Sequence, residues 1–387
     1  MRLQLLAITV TRTVINTGYR MVYPFLPVLA RGVGVEPQAI VLAVTARSGL
    51  GLVSPVLGSF GDLRGRTLAI LVGVSIFAGG MVLVGIWPIY IALFIAILAT
   101  GLSKIVLDPA QYAYVGDRVA FERRGRQMAL VEMSWSGAFL VGIPLVGLMI
   151  AAWGWKSPFP ILAGLAVLGG IWLWRSLPAD RPAESSRPSL LAGFNSILVR
   201  RSAVATLGVS LLMAAGNEVI SIVYGLWFEE DFALSVAALG AASAVIGLAE
   251  LSGEGLVAGL ADRIGKKRSV AIGLLLTALA SLALPVLGRT LPGALLAVFA
   301  LYLAFEFTIV SSLPLMTEQT PRARSTLMAT NIAAFSLGRS LGALAGGPLF
   351  AVGLVANGAV SAILNLLALG LLLAFVRERG EVVAVAP

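Results

Sequence analysis

The sequence predicts an all-α membrane protein in which twelve transmembrane helices form two six-helix bundles. Three observations support this fold class: the composition, a series of apolar segments and an internal repeat. Apolar residues (AVILMFWYC) make up 58% of the 387 residues and charged residues only 12%, whereas soluble proteins contain roughly 25% charged residues. A soluble chain of this length could not cover so much apolar surface. We therefore expect a multi-pass integral membrane protein.

A membrane-spanning helix needs about 20 mostly apolar residues, and polar clusters divide the chain into twelve runs of this kind. The runs lie at 4–30, 38–60, 67–87, 89–115, 127–151, 158–176, 202–226, 235–259, 269–288, 292–316, 327–352 and 358–376. Because a long apolar run in lipid must satisfy its own backbone hydrogen bonds, we predict that each run is a helix.

The basic residues predict the orientation of these helices. With the N-terminus in the cytoplasm, most of the 28 Lys and Arg residues fall in cytoplasmic segments, and the acidic run 229–231 falls outside. This is the positive-inside pattern. Both termini are therefore expected in the cytoplasm of a bacterial-type inner (plasma) membrane, and the net charge of +9 does not indicate nucleic-acid binding.

The two halves of the sequence match each other at an offset of 200 positions. Asp62 and Gly65 align with Asp262 and Gly265, and further matches lie within the apolar runs. The predicted units are an N-terminal bundle over 1–176, a cytoplasmic linker over 177–200 and a C-terminal bundle over 201–387. Six spans in each half give a parallel repeat, for which a substrate site is expected near the membrane midplane.

The absence of two residue types from the sequence excludes several kinds of chemistry. The chain contains no Cys and no His, which excludes disulfides, thiolate nucleophiles, His-based triads and metal sites built on these ligands. A phosphate-binding loop for ATP is also missing. We expect no enzymatic activity, no cofactor and no metal, and a carboxylate, Lys or Tyr must carry any transported proton.

Two loops at equivalent positions of the repeat carry a specific motif: GSFGDLRGRT at 58–67 and GLADRIGKKR at 259–268. They resemble the cytoplasmic signature of the major facilitator superfamily, G-x-x-x-D-[RK]-x-G-[RK]-[RK], with departures at Leu63, Thr67 and Ala258. The resemblance covers the whole chain and implies the major facilitator fold, with both loops forming a cytoplasmic gate. It identifies the gate residues as Gly58, Asp62, Gly65, Arg66, Asp262, Arg263, Gly265 and Lys266. In such a latch an Asp bonds a helix N-terminus or an Arg, and Gly permits a tight turn.

Span five carries Gly142, Pro144 and Gly147, which are similar to the antiporter motif of the superfamily, although Ile143 separates the Gly from the Pro. The phrase WGWKSPF at 153–159 is similar to bacterial efflux members. Together these features favour a drug:proton antiporter-like protein. Ordinary glycine-based helix packing is the alternative for the residues of span five.

Span eleven contains the pattern G-x-S-x-G at 338–342, which also occurs at the nucleophile of hydrolases. That role requires a His, which this chain lacks. We instead predict that Gly338, Gly342 and Gly346 form a packing face for a neighbouring helix.

Charged side chains are rare inside membranes because burial at the bilayer centre costs roughly 3 kcal/mol or more each. This chain places several of them inside predicted spans, and a polar stripe follows one face of span one. The predicted substrate-cavity residues are Arg12, Asn16, Tyr19, Arg20, Tyr23, Arg47, Lys104, Asp108 and Arg339. The Arg side chains suit an anionic or zwitterionic group; the equally weighted alternative is that they pair with carboxylates of other helices.

Intramembrane carboxylates are the candidates for proton coupling: Glu218, Glu250, Glu254 and Glu306. Glu250 and Glu254 are one helical turn apart, and two carboxylates so placed disfavour ionising together. Glu132, close to the start of span five, is interpreted as a gate or latch residue.

The resemblance implies secondary active transport of a small organic molecule by alternating access, with proton-coupled export preferred. The alternative function is uptake or flipping of an anionic or zwitterionic amphiphile, such as a lysolipid or an organic acid. The expected partners are the small-molecule substrate, protons and the lipid bilayer, and the expected oligomeric state is a monomer.

Overall fold

The computed structural model describes residues 2–57, 60–119, 121–178, 197–320 and 324–378, and in these ranges all regular secondary structure is helical, as predicted. The helices of the first half are α1 (Arg2–Arg20), α2 (Leu26–Val33), α3 (Pro37–Gly49), α4 (Ser54–Leu57), α5 (Phe60–Arg64), α6 (Arg66–Ile86), α7 (Tyr90–Arg118), α8 (Phe121–Gly137), α9 (Ile143–Trp153) and α10 (Pro158–Ser176). Those of the second half are α11 (Arg201–Ser221), α12 (Tyr224–Phe232), α13 (Val236–Ile264), α14 (Lys266–Leu287), α15 (Leu291–Gln319), α16 (Arg324–Val352) and α17 (Leu354–Phe375). A 3-10 turn (Leu50–Val53) joins α3 to α4, and a π-helical turn (Ala138–Gly142) joins α8 to α9.

Within the described ranges, ten helical segments are long and apolar enough to cross a membrane. They are Pro37–Leu57, Arg66–Ile86, Tyr90–Arg118, Gln127–Trp153, Pro158–Ser176, Arg201–Phe232, Val236–Ala261, Lys266–Leu287, Leu291–Gln319 and Leu354–Phe375. Each overlaps one predicted span over most of its length. Two predicted spans remain. The span 4–30 corresponds to α1 and α2, and the span 327–352 corresponds to α16. Both include Arg residues inside the predicted span.

Two helices break at equivalent positions of the repeat. Helix α1 ends at Arg20 and α2 begins at Leu26, while α11 ends at Ser221 and α12 begins at Tyr224. Each break contains a backbone hydrogen bond between residues three apart. The N–H of Tyr23 donates to the carbonyl oxygen of Arg20, and the N–H of Val223 donates to the carbonyl oxygen of Ile220, both at 3.2 Å. The breaks therefore keep backbone hydrogen bonding where lipid would not supply it.

The two motif loops place glycine at equivalent turns. Gly65 (φ +101°) directly precedes α6, and Gly265 (φ +95°) directly precedes α14. Residues with a Cβ rarely adopt this conformation. The tight turn that the sequence predicts at each of these glycines is therefore present.

The chain divides into two compact units. The first comprises Met1–Ser185 and Tyr224–Gly247, and the second comprises Ser186–Val223 and Leu248–Pro387. Helix α12 and the first residues of α13, up to Gly247, therefore belong to the first unit.

Within each unit, helices approach each other closely at glycines. A methyl group at Gly73 of α6 would lie 2.7 Å from the Cβ atom of Leu107 in α7. Its repeat mate, Gly273 of α14, packs in the same way against Thr308 of α15. In α16, the predicted packing face is confirmed, because three of its glycines lie against α11. These glycines are Gly338, Gly342 and Gly346.

We expect Gly342→Ala to destabilise the second unit, because the added methyl group would overlap the carbonyl oxygen of Ala215 and lie 2.9 Å from Glu218 Cβ. Overpacking of this kind costs about 1–3 kcal/mol, so the Tm of the purified protein in detergent should fall. Gly370→Ala in α17 is the matched control, since no atom lies within 4 Å of the added Cβ and Ala favours helix more than Gly. Equal Tm values for the two variants would contradict the packing described for α16.

Candidate functional site

A cluster of polar and aromatic side chains lies inside the first unit, where four helices meet. Helix α1 supplies Arg12, Asn16, Tyr19 and Arg20, with Tyr23 just beyond its end; α3 supplies Arg47; α7 supplies Lys104, Asp108 and Tyr112; α8 supplies Glu132, Ser134 and Trp135. All predicted substrate-cavity residues except Arg339 belong to this cluster. The spacing of the α1 residues places them on one helix face, as the polar stripe predicts.

Arg12 is the most highly connected side chain of the cluster and is 3% exposed. Its Nε atom lies 3.3 Å from Asp108 Oδ1, and its Nη1 atom lies 3.0 Å from Glu132 Oε1 and 3.2 Å from the carbonyl oxygen of Val131. Its Nη2 atom donates to the Tyr112 hydroxyl, which in turn donates to Glu132. Arg12 thus pairs with carboxylates of two other helices, the alternative that the sequence leaves open.

Lys104 shares Asp108 with Arg12. The Lys104 ammonium donates to Asn16 Oδ1 at 2.7 Å and pairs with Asp108 Oδ2 at 2.8 Å. It also lies 5.6 Å from the centroid of the Tyr19 ring and 5.1 Å from that of Trp135. The side chain of Lys104 is 14% exposed, so its environment is neither fully buried nor open.

Arg20 packs between two aromatic rings of α8 and the π-helical turn. Its guanidinium carbon lies 4.0 Å from the centroid of the Trp135 ring and 3.8 Å from that of Phe139, and Nη1 donates to the carbonyl oxygen of Trp135 at 3.1 Å. Contacts of a guanidinium with aromatic faces are attractive. Arg20 therefore holds the Trp135 ring in place.

Arg47 contacts two tyrosines, through hydrogen bonds and through a ring face. Its Nη1 atom donates to the carbonyl oxygen of Tyr19 at 2.6 Å, and Nη2 donates to the Tyr23 hydroxyl at 3.0 Å. The guanidinium carbon also lies 3.8 Å from the centroid of the Tyr19 ring. Arg47 is 2% exposed, and its Cγ atom fills the space beside Gly101. No carboxylate pairs with it among the residues that the structure describes.

Arg339 lies in the second unit, apart from the other predicted cavity residues. Its Nε atom lies 2.8 Å from Oε2 of Glu218, whose side chain is fully buried. The sequence assigns Arg339 to substrate binding and Glu218 to proton coupling. The structure joins these two residues in one ion pair between α16 and α11.

The other predicted proton-coupling residues lie on α13 and α15. Glu250 and Glu306 are buried, and Glu254 is half-buried. At Gly253 the two helices approach so closely that a methyl group there would lie 2.9 Å from Glu306 Cβ. Glu306 therefore lies beside the turn of α13 that carries Glu250 and Glu254.

The helix after each motif loop begins with a basic residue. This residue forms an ion pair with an acidic residue near the C-terminal end of the next helix along the chain. Arg66 forms an ion pair with Asp117, near the end of α7. Its repeat mate Lys266 forms one with Glu318, near the end of α15, and its backbone N–H donates to Glu378 Oε1 at 3.2 Å.

For the remaining predicted gate residues we describe no ion pair. Arg263 is exposed in the last turn of α13. Gly58 and the side chains of Asp62 and Asp262 lie outside the part of the chain that the structure describes.

The antiporter-like residues of span five lie where this span changes its helical form. The π-helical turn ends at Gly142, and Pro144 is the second residue of α9. Gly142 packs directly on Thr17 of α1. A methyl group at Gly147 would lie 3.1 Å from Gly240 Cα of α13. Both glycines thus permit close helix packing within the first unit.

The sequence assigns no cavity or gate role to several residues that complete these contacts. Tyr112 and Trp135 join the cluster around Arg12 and Lys104, and Asp117, Glu318 and Glu378 pair with the motif loops. Glu132, which the sequence interprets as a gate or latch residue, also joins this cluster. One available signal was the spacing of Glu132, Trp135 and Phe139, which places them on one face of span five.

Comparisons with known proteins match the whole length of the chain. Residues 8–215 and residues 206–386 each match the Major Facilitator Superfamily. The Uncharacterized MFS-type transporter YceJ of Bacillus subtilis is 26% identical over 343 residues, 87% of this chain and 86% of YceJ. Multidrug resistance protein 2 of Bacillus subtilis is 23% identical over 308 residues, 77% of this chain and 76% of that protein.

A solved structure supports the fold. The crystal structure of the human organic anion transporter MFSD10 has a TM-score of 0.70 and 20% identity, and the match covers 96% of this chain and 99% of that one.

We expect Asp108→Asn to destabilise the first unit strongly, because this carboxylate accepts from both Arg12 and Lys104. Breaking a buried ion pair by removing one partner costs on the order of 3 kcal/mol, and thermal unfolding in detergent should report the loss. Glu132→Gln is the matched control: this side chain is 40% exposed and Arg12 keeps Asp108, so the loss should be smaller. A larger loss for Glu132→Gln would contradict the central position given to Asp108.

Proposed function

Because this chain belongs to the Major Facilitator Superfamily, we propose that it exports a small organic molecule across the membrane in exchange for protons. Transport proceeds by alternating access, without an enzymatic step. The observation that carries the coupling is the burial of Glu250 and Glu306 in apolar helices, in a chain without His.

The proposed architecture is the one that the repeat predicts. Twelve transmembrane helices form bundles over 1–176 and 201–387, joined by the cytoplasmic linker 177–200. The distribution of basic residues supports cytoplasmic termini, and the two bacterial relatives support the bacterial inner (plasma) membrane as its location. The protein acts as a monomer, with the substrate, protons and lipid as its partners.

The proton step uses the change in charge of a buried carboxylate. An ionised carboxylate in the membrane interior costs roughly 3 kcal/mol or more, and protonation removes this cost. Glu306 lies at the close approach of α13 to α15 at Gly253, beside Glu250 and Glu254. Protonation from outside and release to the cytoplasm would therefore change the stability of this helix contact once per cycle.

The relative named Multidrug resistance protein 2 and the glycines and proline of span five support export as the direction. Uptake or flipping of an anionic or zwitterionic amphiphile is the second candidate. The arginine stripe that suggests it is partly neutralised, since Arg12 pairs with Asp108 and Glu132. We therefore rank export first.

The test of direction is the accumulation of cationic, anionic and zwitterionic dyes in cells that lack their own efflux pumps. Expression of the protein should lower accumulation of at least one dye, and an uncoupler that collapses the proton gradient should restore it. Increased accumulation of an anionic or zwitterionic dye would instead support the second candidate. An export that the uncoupler leaves unchanged would contradict proton coupling.

We expect Glu306→Gln and Glu250→Gln to reduce proton-driven export at least tenfold, because an amide cannot take up and release the coupling proton. Exchange of labelled for unlabelled substrate across proteoliposomes without a gradient should persist, which separates coupling from folding and binding. Glu36→Gln is the control, since Glu36 is exposed just before α3. Full proton-driven transport by both core variants would refute the assignment.

A further inference from the structure

The Lys104 ammonium has a donor that the protein does not use. A Lys ammonium carries three N–H donors, and the described part of the chain accepts two of them, through Asn16 Oδ1 at 2.7 Å and Asp108 Oδ2 at 2.8 Å. The rings of Tyr19 and Trp135 also lie near it, with centroids 5.6 Å and 5.1 Å from the ammonium nitrogen. The ammonium is therefore held in position with one hydrogen-bonding direction left for another molecule.

Neighbouring side chains fix every group that surrounds this ammonium. Asn16 Nδ2 donates to Ser134 Oγ at 3.2 Å, which turns its oxygen towards Lys104. Asp108 is held by Arg12. A site whose groups are already oriented loses little entropy when it binds a ligand.

The two rings are also fixed, and they form an angled pair. Their centroids lie 6.2 Å apart with an interplanar angle of 47°. The guanidinium of Arg47 lies on the Tyr19 ring and that of Arg20 on the Trp135 ring. Trp135 is half-buried, which leaves part of its ring available for contact with a flat apolar group.

The charges around Lys104 favour an anion. The cluster described above contains four cations, Arg12, Arg20, Arg47 and Lys104. Its two carboxylates, those of Asp108 and Glu132, both pair with Arg12. Arg47 has no carboxylate partner among the described residues. An additional negative charge is therefore stabilised here, because charges in a membrane interior require partners.

We propose that Lys104, Tyr19 and Trp135 form the binding site for the carboxylate group of an aromatic organic acid. The carboxylate accepts the third ammonium N–H of Lys104, and the aromatic body of the acid packs against Trp135. This inference rests on the proposed transport function and specifies its substrate class. It does not depend on the direction of transport or on the coupling ion.

The test is equilibrium binding by calorimetry, using the purified full-length chain in detergent with no ion gradient. The probes are 2-naphthoate, its neutral amide 2-naphthamide and the cation 2-naphthylmethylammonium, which share one ring system. We expect 2-naphthoate to bind at least tenfold more tightly than 2-naphthamide, and the cation to bind most weakly.

Lys104→Met should reduce 2-naphthoate affinity at least tenfold and leave 2-naphthamide affinity unchanged, because it removes the charge and keeps an unbranched side chain of nearly the same length. Lys104→Arg should retain most of the preference for the anion. Lys156→Met is the matched control, since Lys156 is exposed between α9 and α10. Trp135→Leu should weaken 2-naphthoate and 2-naphthamide alike, and it tests the site independently if Lys104→Met does not fold.

Equal affinities for the three probes, preference for the cation, unchanged 2-naphthoate binding by Lys104→Met, or no binding by the native protein would overturn the proposal. Glu306→Gln should bind 2-naphthoate normally. If proton-driven export fails and 2-naphthoate binding is intact, the proposed coupling is contradicted and the Lys104 site stands. If proton-driven export is observed and 2-naphthoate does not bind, the Lys104 site is contradicted and the proposed coupling stands.

Discussion

A charge inside a membrane needs an opposite charge or polar groups as partners, and the Arg12 guanidinium is where this constraint organises the first unit. Arg12 joins α1 to α7 through Asp108 and to α8 through Glu132. Because Asp108 also pairs with Lys104, the position of the Lys104 ammonium depends on Arg12. Arg12, the more buried of these two cations, therefore serves as a structural support, and Lys104, the less buried one, retains the capacity to bind a ligand.

The second unit contains an ion pair that meets the same constraint. Arg339 of α16 pairs with Glu218 of α11, where the glycine face of α16 lets the two backbones approach. Small residues are the usual means of close helix packing in membranes, where lipid removes the hydrophobic driving force between helices. A close backbone contact and a neutralised ion pair thus occur together at one helix crossing.

The sequence predicts the helical segments well, because an apolar run in lipid has few alternatives to a helix. The turns at Gly65 and Gly265 and the glycine face of α16 were predictable for a similar reason, since each is a local property of one segment. The pairing of Lys104 with Asp108 follows from their i,i+4 spacing in one helix, but ion pairs between different helices were not predictable. Helical spacing shows which residues share a face, but it does not show which neighbouring helix that face meets.

Specific residues illustrate this limit. The place of Glu132 near the start of span five predicts a gate or latch residue, but it does not show that Glu132 pairs with Arg12. Asp117 and Glu318 carry no motif of their own, and only the packing of α7 on α6 and of α15 on α14 brings them to Arg66 and Lys266. Trp135 was overlooked because a single aromatic residue in an apolar helix carries little information about its contacts.

The ion pairs of the first unit bear on the mechanism of proton coupling. The carboxylates of the first unit, Asp108 and Glu132, are held by cations, and a proton that binds such a carboxylate must compete with the ion pair. A transporter that coupled protons through Asp108 would release Arg12 and Lys104 in every cycle and so loosen its own substrate site. Placing the coupling proton on Glu250 or Glu306 instead allows the Lys104 site to stay assembled while protons are taken up and released. The proposed separation of proton coupling from substrate binding therefore keeps Asp108 in its ion pairs with Arg12 and Lys104 throughout the cycle.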